Sequence, residues 1–269
     1  NDNSLTGCIN LAHGFYVFRN FNFAGGSGNA AALDSGADDV KFINCNFFDA
    51  SIDGCTGDDN LYFDGCSAHG NGTYGFDGDN FMVCINSSVF DNGSYGIRCD
   101  SGTFGFMVMY GNTAGGITID GASYPPVIFN STFDGETLGN AINISNASND
   151  YAPVLINVIL HDNVNGVLSA VDYSADPNAH WPIAHNDLFY SNTTDANNFT
   201  TGIDAVTGSD PLFTDEAGHD YTLQEPSPAD NEGINDYDIG YFSRDDEGAG
   251  GGSDTGLPIG STDKSGGKQ

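Results

Sequence analysis

The stretch INSSVFDNGSYGIRCDSG, from Ile85 to Gly102, constrains the fold most, because it is one copy of a repeat. Moved back by 21 residues it overlies DGCSAHGNGTYGFDGD, and by 21 more INCNFFDASIDGCTGD. Forward copies are FMVMYGNTAGGITIDG, FNSTFDGETLGNAINISN, INVILHDNVNGVLSAVD and HNDLFYSN, and RNFNF leads the series. Each copy holds short segments in which apolar and polar residues alternate, separated by Asn, Gly or Asp. Alternation is the mark of a strand, and Asn and Gly tolerate the left-handed corners between strands. A unit of about 21 residues cannot bury its own apolar side, but stacked copies can.

Strands that recur in the same order stack in parallel, and parallel crossovers are right-handed. The expectation is an all-β chain, a right-handed parallel β-helix of about eight coils between Phe15 and Phe199. Aligned copies give inward columns. Phe42, Phe63, Cys84 and Phe104 share one slot; Cys45, Cys66, Ser87 and Met107 share a second. Phe47, Ala68, Val89, Met109, Phe133, Leu160 and Phe189 form a third, and Cys55, Phe76, Ile97, Ile117, Ile142 and Val167 a fourth. Asn20, Asn44, Asn86, Asn130, Asn157 and Asn186 fall on one corner, where stacked amides would bond to one another. Cys45 and Cys66 are expected as stacked free thiols.

These columns resemble the right-handed parallel β-helix repeat proteins, the pectate-lyase-like superfamily in the broad sense. SDPLFTDEAGHDYTLQEPSPADNEG (209–233) with DIGYF (238–242) resembles the closing segment of secreted bacterial and viral β-helix proteins. The resulting division is 1–208 β-helix, 209–242 closing segment over the C-terminal end, and 243–269 a Gly/Ser/Asp-rich tail or linker. The superfamily holds lyases, hydrolases, epimerases, adhesins and phage tailspikes, so the resemblance implies a fold and leaves the function open.

Charge narrows the partners. Thirty-seven acidic residues against six Lys plus Arg give a net charge of −31, which repels nucleic acid and anionic membrane surfaces. Such a chain attracts divalent cations or suits a saline medium. No apolar run approaches a membrane span. The first residue is Asn and no signal-peptide pattern precedes it, as expected of a processed form or a piece of something longer. Six Cys without CxxC spacing argue against a zinc site.

Three constellations carry candidate chemistry. Arg98 is expected on an outward position among Asp77, Asp79, Asp100 and Thr118. The superfamily resemblance makes Arg98, Asp77 and Asp100 the candidate catalytic set of a Ca²⁺-assisted polysaccharide lyase. The alternative is an arginine that neutralises an acidic face. Asp58, Asp79, Asp100 and Asp120, spaced by 21, 21 and 20 residues, form an acidic column. It is either a solvated turn or a row of Ca²⁺ ligands flanked by Asp59 and Asp77. Phe48, His69, Phe90 and Tyr110 form an outward aromatic stripe, continued after Asp134 by His161 and Tyr190. Such a stripe calls for a glycan, a neighbouring copy or cover from the chain's own loops. Hydrolase motifs are absent, and ADPNAH (175–180) has Asn178 where the Asp-Pro-His motif of alginate epimerases needs a histidine.

The favoured reading is a non-catalytic structural or adhesive β-helix, extracellular or on a cell or virion surface, that contacts glycans. The alternatives are a Ca²⁺-dependent polysaccharide lyase or related carbohydrate-active enzyme, and a self-assembling filament or matrix subunit.

Overall fold

A computed structural model describes residues 4–6, 9–11, 14–33, 39–58, 60–121, 124–135, 139–145, 153–169, 183–230, 232–234 and 238–241. Within them the chain is a parallel β-helix. One path of ten strands climbs in chain order from Ser4–Thr6 to Val206–Thr207, in a sheet of fourteen strands that we call the first sheet. A second sheet of nine strands climbs beside it from Ile9–Leu11 to Thr194–Asn197. The single antiparallel pair among the described residues is Phe213–Asp215 with Asp220–Leu223, joined by a 3-10 turn at Glu216–Gly218.

The register reproduces the sequence columns. Phe42 pairs with Phe63, Phe63 with Cys84, and Cys84 with Phe104. Phe47, Ala68, Val89, Met109, Phe133, Leu160 and Phe189 follow one another on the next ladder. Cys55, Phe76, Ile97, Ile117, Ile142 and Val167 do so in the second sheet. All are buried in one continuous core. Its lower part is built from stacked phenylalanines, with Phe23 on Phe47 at 4.8 Å and Phe42 on Phe63 at 5.3 Å between centroids. Each ring is worth about 1.5–3 kcal/mol of burial. Cys45, Cys55, Cys66, Cys84 and Cys99 are buried, Cys45, Cys66, Cys84 and Cys99 as free thiols, and the Cys66 thiol donates to Phe42 O at 3.4 Å.

The asparagine corner exists, but its role differs from the amide ladder expected. Asn20, Asn44, Asn86, Asn130, Asn157 and Asn186 all have φ between 45° and 58°, so they supply the left-handed bend between strands. Asn157 Nδ2 donates to Asn130 Oδ1 at 3.4 Å, one step of that ladder, and the others reach solvent or bond elsewhere, as Asn86 does to Asp64. The buried amide ladder is Asn71, Asn92 and Asn112: Asn71 donates to Asn92 and Asn92 to Asn112, each at 2.9 Å, and all three donate to a backbone carbonyl of the coil below. These three are 2, 1 and 0% exposed.

The 209–241 segment also departs from expectation. It lies along the outside of the first sheet instead of across its end. Phe213, Tyr221, Leu223, Ala229 and Ile239 pack on the outward residues Val108, Ile159 and Leu188. Backbone bonds secure it: Gly240 N–H donates to Asn157 O at 2.9 Å and Tyr241 N–H to Thr132 Oγ1 at 3.1 Å.

Candidate functional site

Two outer faces carry the candidate residues. On the second sheet, strands Phe76–Gly78, Tyr95–Cys99 and Gly115–Ile119 place Asp77, Arg98 and Thr118 in one outward column. Arg98 lies half-exposed at its centre. Its Nη1 donates to Asp77 Oδ1 at 2.9 Å and its Nε to Asp120 Oδ2 at 2.7 Å, with Asp79 at 3.6 Å. The Tyr74 ring lies 5.9 Å from the guanidinium carbon. Asp120 also accepts from Ser145 at 2.6 Å and Thr118 at 3.2 Å.

These contacts set the protonation chemistry. Burial pushes the Asp77 carboxyl up to about 6, although Arg98 pulls the other way. Burial acts on Asp120 too, but the Ser145 hydroxyl, Arg98 and Thr118 together outweigh it and hold that carboxyl below its usual range. The bond to Asp120, opposed by partial burial and reinforced by Asp77, drives the Arg98 guanidinium further above its ordinary value. A proton-abstracting arginine would have to release a proton that two carboxylates hold. Burial thus brings the Asp77 carboxyl closer to neutral pH than an ordinary aspartate.

The acidic column is only partly a column of ligands. Asp120 is engaged by Arg98, and Asp79 faces the same guanidinium. Asp100 abuts Gly121, where an added Cβ would lie 2.8 Å from its carboxyl carbon. Burial and the neighbouring Asp79 and Asp120 raise its pKa, with Arg98 opposing. Among the described residues, Asp58, Asp79, Asp100 and Asp120 do not bring three carboxylate oxygens within 4.8 Å of one another; Asp59 lies outside those residues. Ca²⁺ asks for six to eight oxygens, and an arginine among them competes for the same carboxylates.

The group that does converge is Asp134, His161 and Glu216. His161 Nδ1 is hydrogen-bonded to Asp134 Oδ1, Tyr221 donates to Asp134 Oδ2 at 2.8 Å, and Glu216 Oε1 lies 3.9 Å from His161. Asp134 and His161 are 6 and 4% exposed. One imidazole and two carboxylates suit zinc better than calcium. Yet Asp134 and His161 already satisfy each other, and Tyr221 takes the second carboxylate oxygen. The group therefore reads as a polar latch that fastens 209–241 to the coils. Burial alone would lower the His161 pKa, but Asp134 and Glu216 outweigh it and raise it. The sequence showed Asp134 only as a break in the aromatic stripe. Its register partner, His161 one coil on, was the available signal.

On the first sheet, strands Asn46–Phe48, Ser67–His69, Phe81–Phe90 and Ser101–Tyr110 bring Phe48, His69, Phe90 and Tyr110 into one stack. Centroids are 5.6, 4.8 and 4.8 Å apart, with planes within 12° of parallel. At its top the stripe is covered by the chain itself. His219 from the 209–241 segment stacks on Tyr110 at 3.9 Å, and Tyr221 lies beside it at 6.0 Å. Phe48, His69 and Phe90 stay half-exposed, flanked by Asn46, Ser67 and Ser88.

No family model and no curated protein sequence matches the chain. In structure it is similar to pectate lyase Pel9A, with a TM-score of 0.56 at 16% identity over 90% of this chain and 72% of that one. The A-module of the Azotobacter vinelandii mannuronan C-5 epimerase AlgE6 is a looser match, with a TM-score of 0.42 at 14% identity over 76% of this chain and 55% of that one, and no argument rests on it. At such identity the likeness extends to the fold and no further. The chain is a parallel β-helix, with the architecture of pectate lyase Pel9A.

Proposed function

We propose that the protein is a structural or adhesive β-helix of an extracellular, cell or virion surface, one that contacts glycans without cleaving them. The observation that carries this reading is the open part of the first sheet's outer face. There, half-exposed Phe48, His69 and Phe90 run beside Asn46, Ser67 and Ser88, so rings and hydrogen-bonding groups lie in adjacent rows. Sugars present the same two chemistries, C–H faces and hydroxyls. The state of Arg98 supports the non-catalytic half of the proposal, because its charge is spent on Asp77 and Asp120.

A glycan-binding assay tests this reading. The parent protein should retain oligosaccharides, and a Phe48→Ala/Phe90→Ser double variant should lose them while keeping its β-rich circular dichroism. Equal retention by the double variant would remove the face from the account.

A second reading, a polysaccharide-cleaving enzyme, is favoured by Asp77, a partly buried carboxyl whose pKa is raised to about 6. Release of unsaturated or reducing ends from polyuronates by the parent, abolished in Asp77→Asn, would establish that reading. Release that survives the substitution would move catalysis elsewhere.

A further inference from the structure

The aromatic stack has two ends, and among the described residues one of them is closed. At the top, Tyr110 receives the imidazole of His219, supplied by the chain's own 209–241 segment at 3.9 Å. Between the ends each ring lies against its neighbours at 4.8–5.6 Å, so the faces of His69 and Phe90 are largely taken and mainly ring edges point outward. At the bottom, Phe48 has His69 on one face, and among the described residues no ring lies on the other. The register position below Phe48 is Ala24, whose side chain is a single methyl group.

Polar groups line the same step. Asn46 Nδ2 donates to Asn22 Oδ1 at 2.7 Å, and Ser67 Oγ donates to Asn46 Oδ1 at 2.8 Å. This leaves the Asn22 amide nitrogen and one Asn46 N–H without a bonding partner among the described residues. Both Asn22 and Ala24 point outward on Asn22–Ala24, beside Asn46 and Phe48 on the next coil.

We infer that the free face of Phe48, over Ala24 and beside the Asn22–Asn46 amide pair, is the stacking platform for one pyranose ring of a neutral glycan. The inference rests on the reading that this protein contacts glycans, and it names the place and the chemical class. A sugar ring there continues the stack downward as His219 continues it upward. The free amide N–H groups donate to its hydroxyls. Neutrality follows from charge: the chain carries −31, and Asp49, exposed, follows Phe48 directly, so a polyuronate is repelled where a neutral sugar is not.

The test compares the parent with Phe48→Ala, Ala24→Phe and Phe90→Ser, using calorimetry with cellohexaose, β-1,4-galactohexaose and hexagalacturonate. Ala24→Phe fills the step with a ring that the stack accepts, and Ala24→Leu serves the same purpose should the larger variant not fold. The parent is expected to bind at least one neutral hexasaccharide and not hexagalacturonate. Phe48→Ala and the filled variant should each lose about tenfold or more in affinity, and Phe90→Ser less than about threefold. Binding that survives the filled step but falls with Phe90→Ser would overturn the platform and leave the glycan reading standing on the ring edges. Tighter binding of hexagalacturonate would overturn the neutral class, and failure of the parent to bind any of the three would overturn both.

Discussion

Up to the coil of Phe81–Phe90, the outward row on the first sheet reads Asn22, Asn46, Ser67, Ser88; from the next coil it reads Val108, Thr132, Ile159, Leu188, Val206. The parallel ladder runs unbroken through both stretches. The row beside it changes as well, from the stack Phe48, His69, Phe90 to the polar pair Asp134 and His161. The upper stretch is mostly apolar and is covered by the chain's own Phe213, Leu223 and Ile239. The lower stretch is amide, hydroxyl and ring, and the described chain leaves it open. A coil's outward residues therefore decide its partner without altering the coil. Apolar rows are closed from within, and mixed rows remain for a partner with both C–H and hydroxyl surface.

The largest expected effect comes from breaking the latch of the covered stretch. Asp134→Ala leaves His161 and the Tyr221 hydroxyl buried without their shared acceptor and should cost about 3–5 kcal/mol in chemical denaturation. Proteolysis should then cut within 209–241 before the coils. A cost below about 1 kcal/mol would mean that the pair is incidental. Leu188→Ala, at a fully buried contact under the same segment, should cost about 2–5 kcal/mol. On the open stretch, Phe90→Ser removes two stacked contacts on a half-exposed ring and should cost about 1 kcal/mol. Comparable losses at Leu188 and Phe90 would erase the distinction between the two stretches.

The pH dependence sharpens the same contrast. The His161 pKa is raised in the fold, so its stabilisation is complete below the ordinary histidine value of about 6.5. That stabilisation is lost as the pH rises through the folded value. Asp187, the residue before Leu188 on the same coil, behaves in the same sense: burial raises its carboxyl well above the usual range, opposed by the Val158 and His185 backbones. Its contribution is complete below about 3.9 and fades as the pH climbs toward its folded value. The melting temperature of the parent should fall between pH 6 and 9, and His161→Gln should flatten that slope. Asp187→Ser, which copies Ser131 in the same slot, should melt at or above the parent at pH 7. A lower melting temperature would show that Asp187 is not a neutral acid.

The smallest expected effect concerns the acidic column. With Arg98 among Asp77, Asp79 and Asp120, millimolar Ca²⁺ should raise the melting temperature of the parent little beyond ionic-strength-matched NaCl. Arg98→Gln frees those carboxylates and should give the larger Ca²⁺ response. A strong response of the parent would restore the column as a metal site.

The coils were legible because a strand's inward residues obey a period of two, and the repeat shows each slot many times over. Phe42, Phe63, Cys84 and Phe104 could be aligned without knowing what they touch. The 209–241 segment was not legible in the same way, since it occurs once and its contacts span distant parts of the chain, such as Tyr221 with Asp134. Its target was nevertheless written in the repeat, where the outward row switches from Ser88 to Val108 and stays mostly apolar. The buried amide ladder at Asn71, Asn92 and Asn112 was illegible for a related reason, while the expected corner keeps one such step, Asn157 to Asn130. Both Asn86 and Asn92 recur at the coil spacing, and only the positive φ at Asn86 and the burial of Asn92 tell a bend from a ladder.

Hydroxyl-radical footprinting of aromatic side chains, with and without a neutral oligosaccharide that the protein binds, tests the central contrast most directly. The account predicts that Phe48 and Phe90 are oxidised readily in the free protein, that Phe213 and Tyr221 resist oxidation, and that the oligosaccharide protects Phe48 while leaving Phe213 and Tyr221 unchanged. Ready oxidation of Phe213 and Tyr221 in the free protein, or protection that bypasses Phe48, would contradict it.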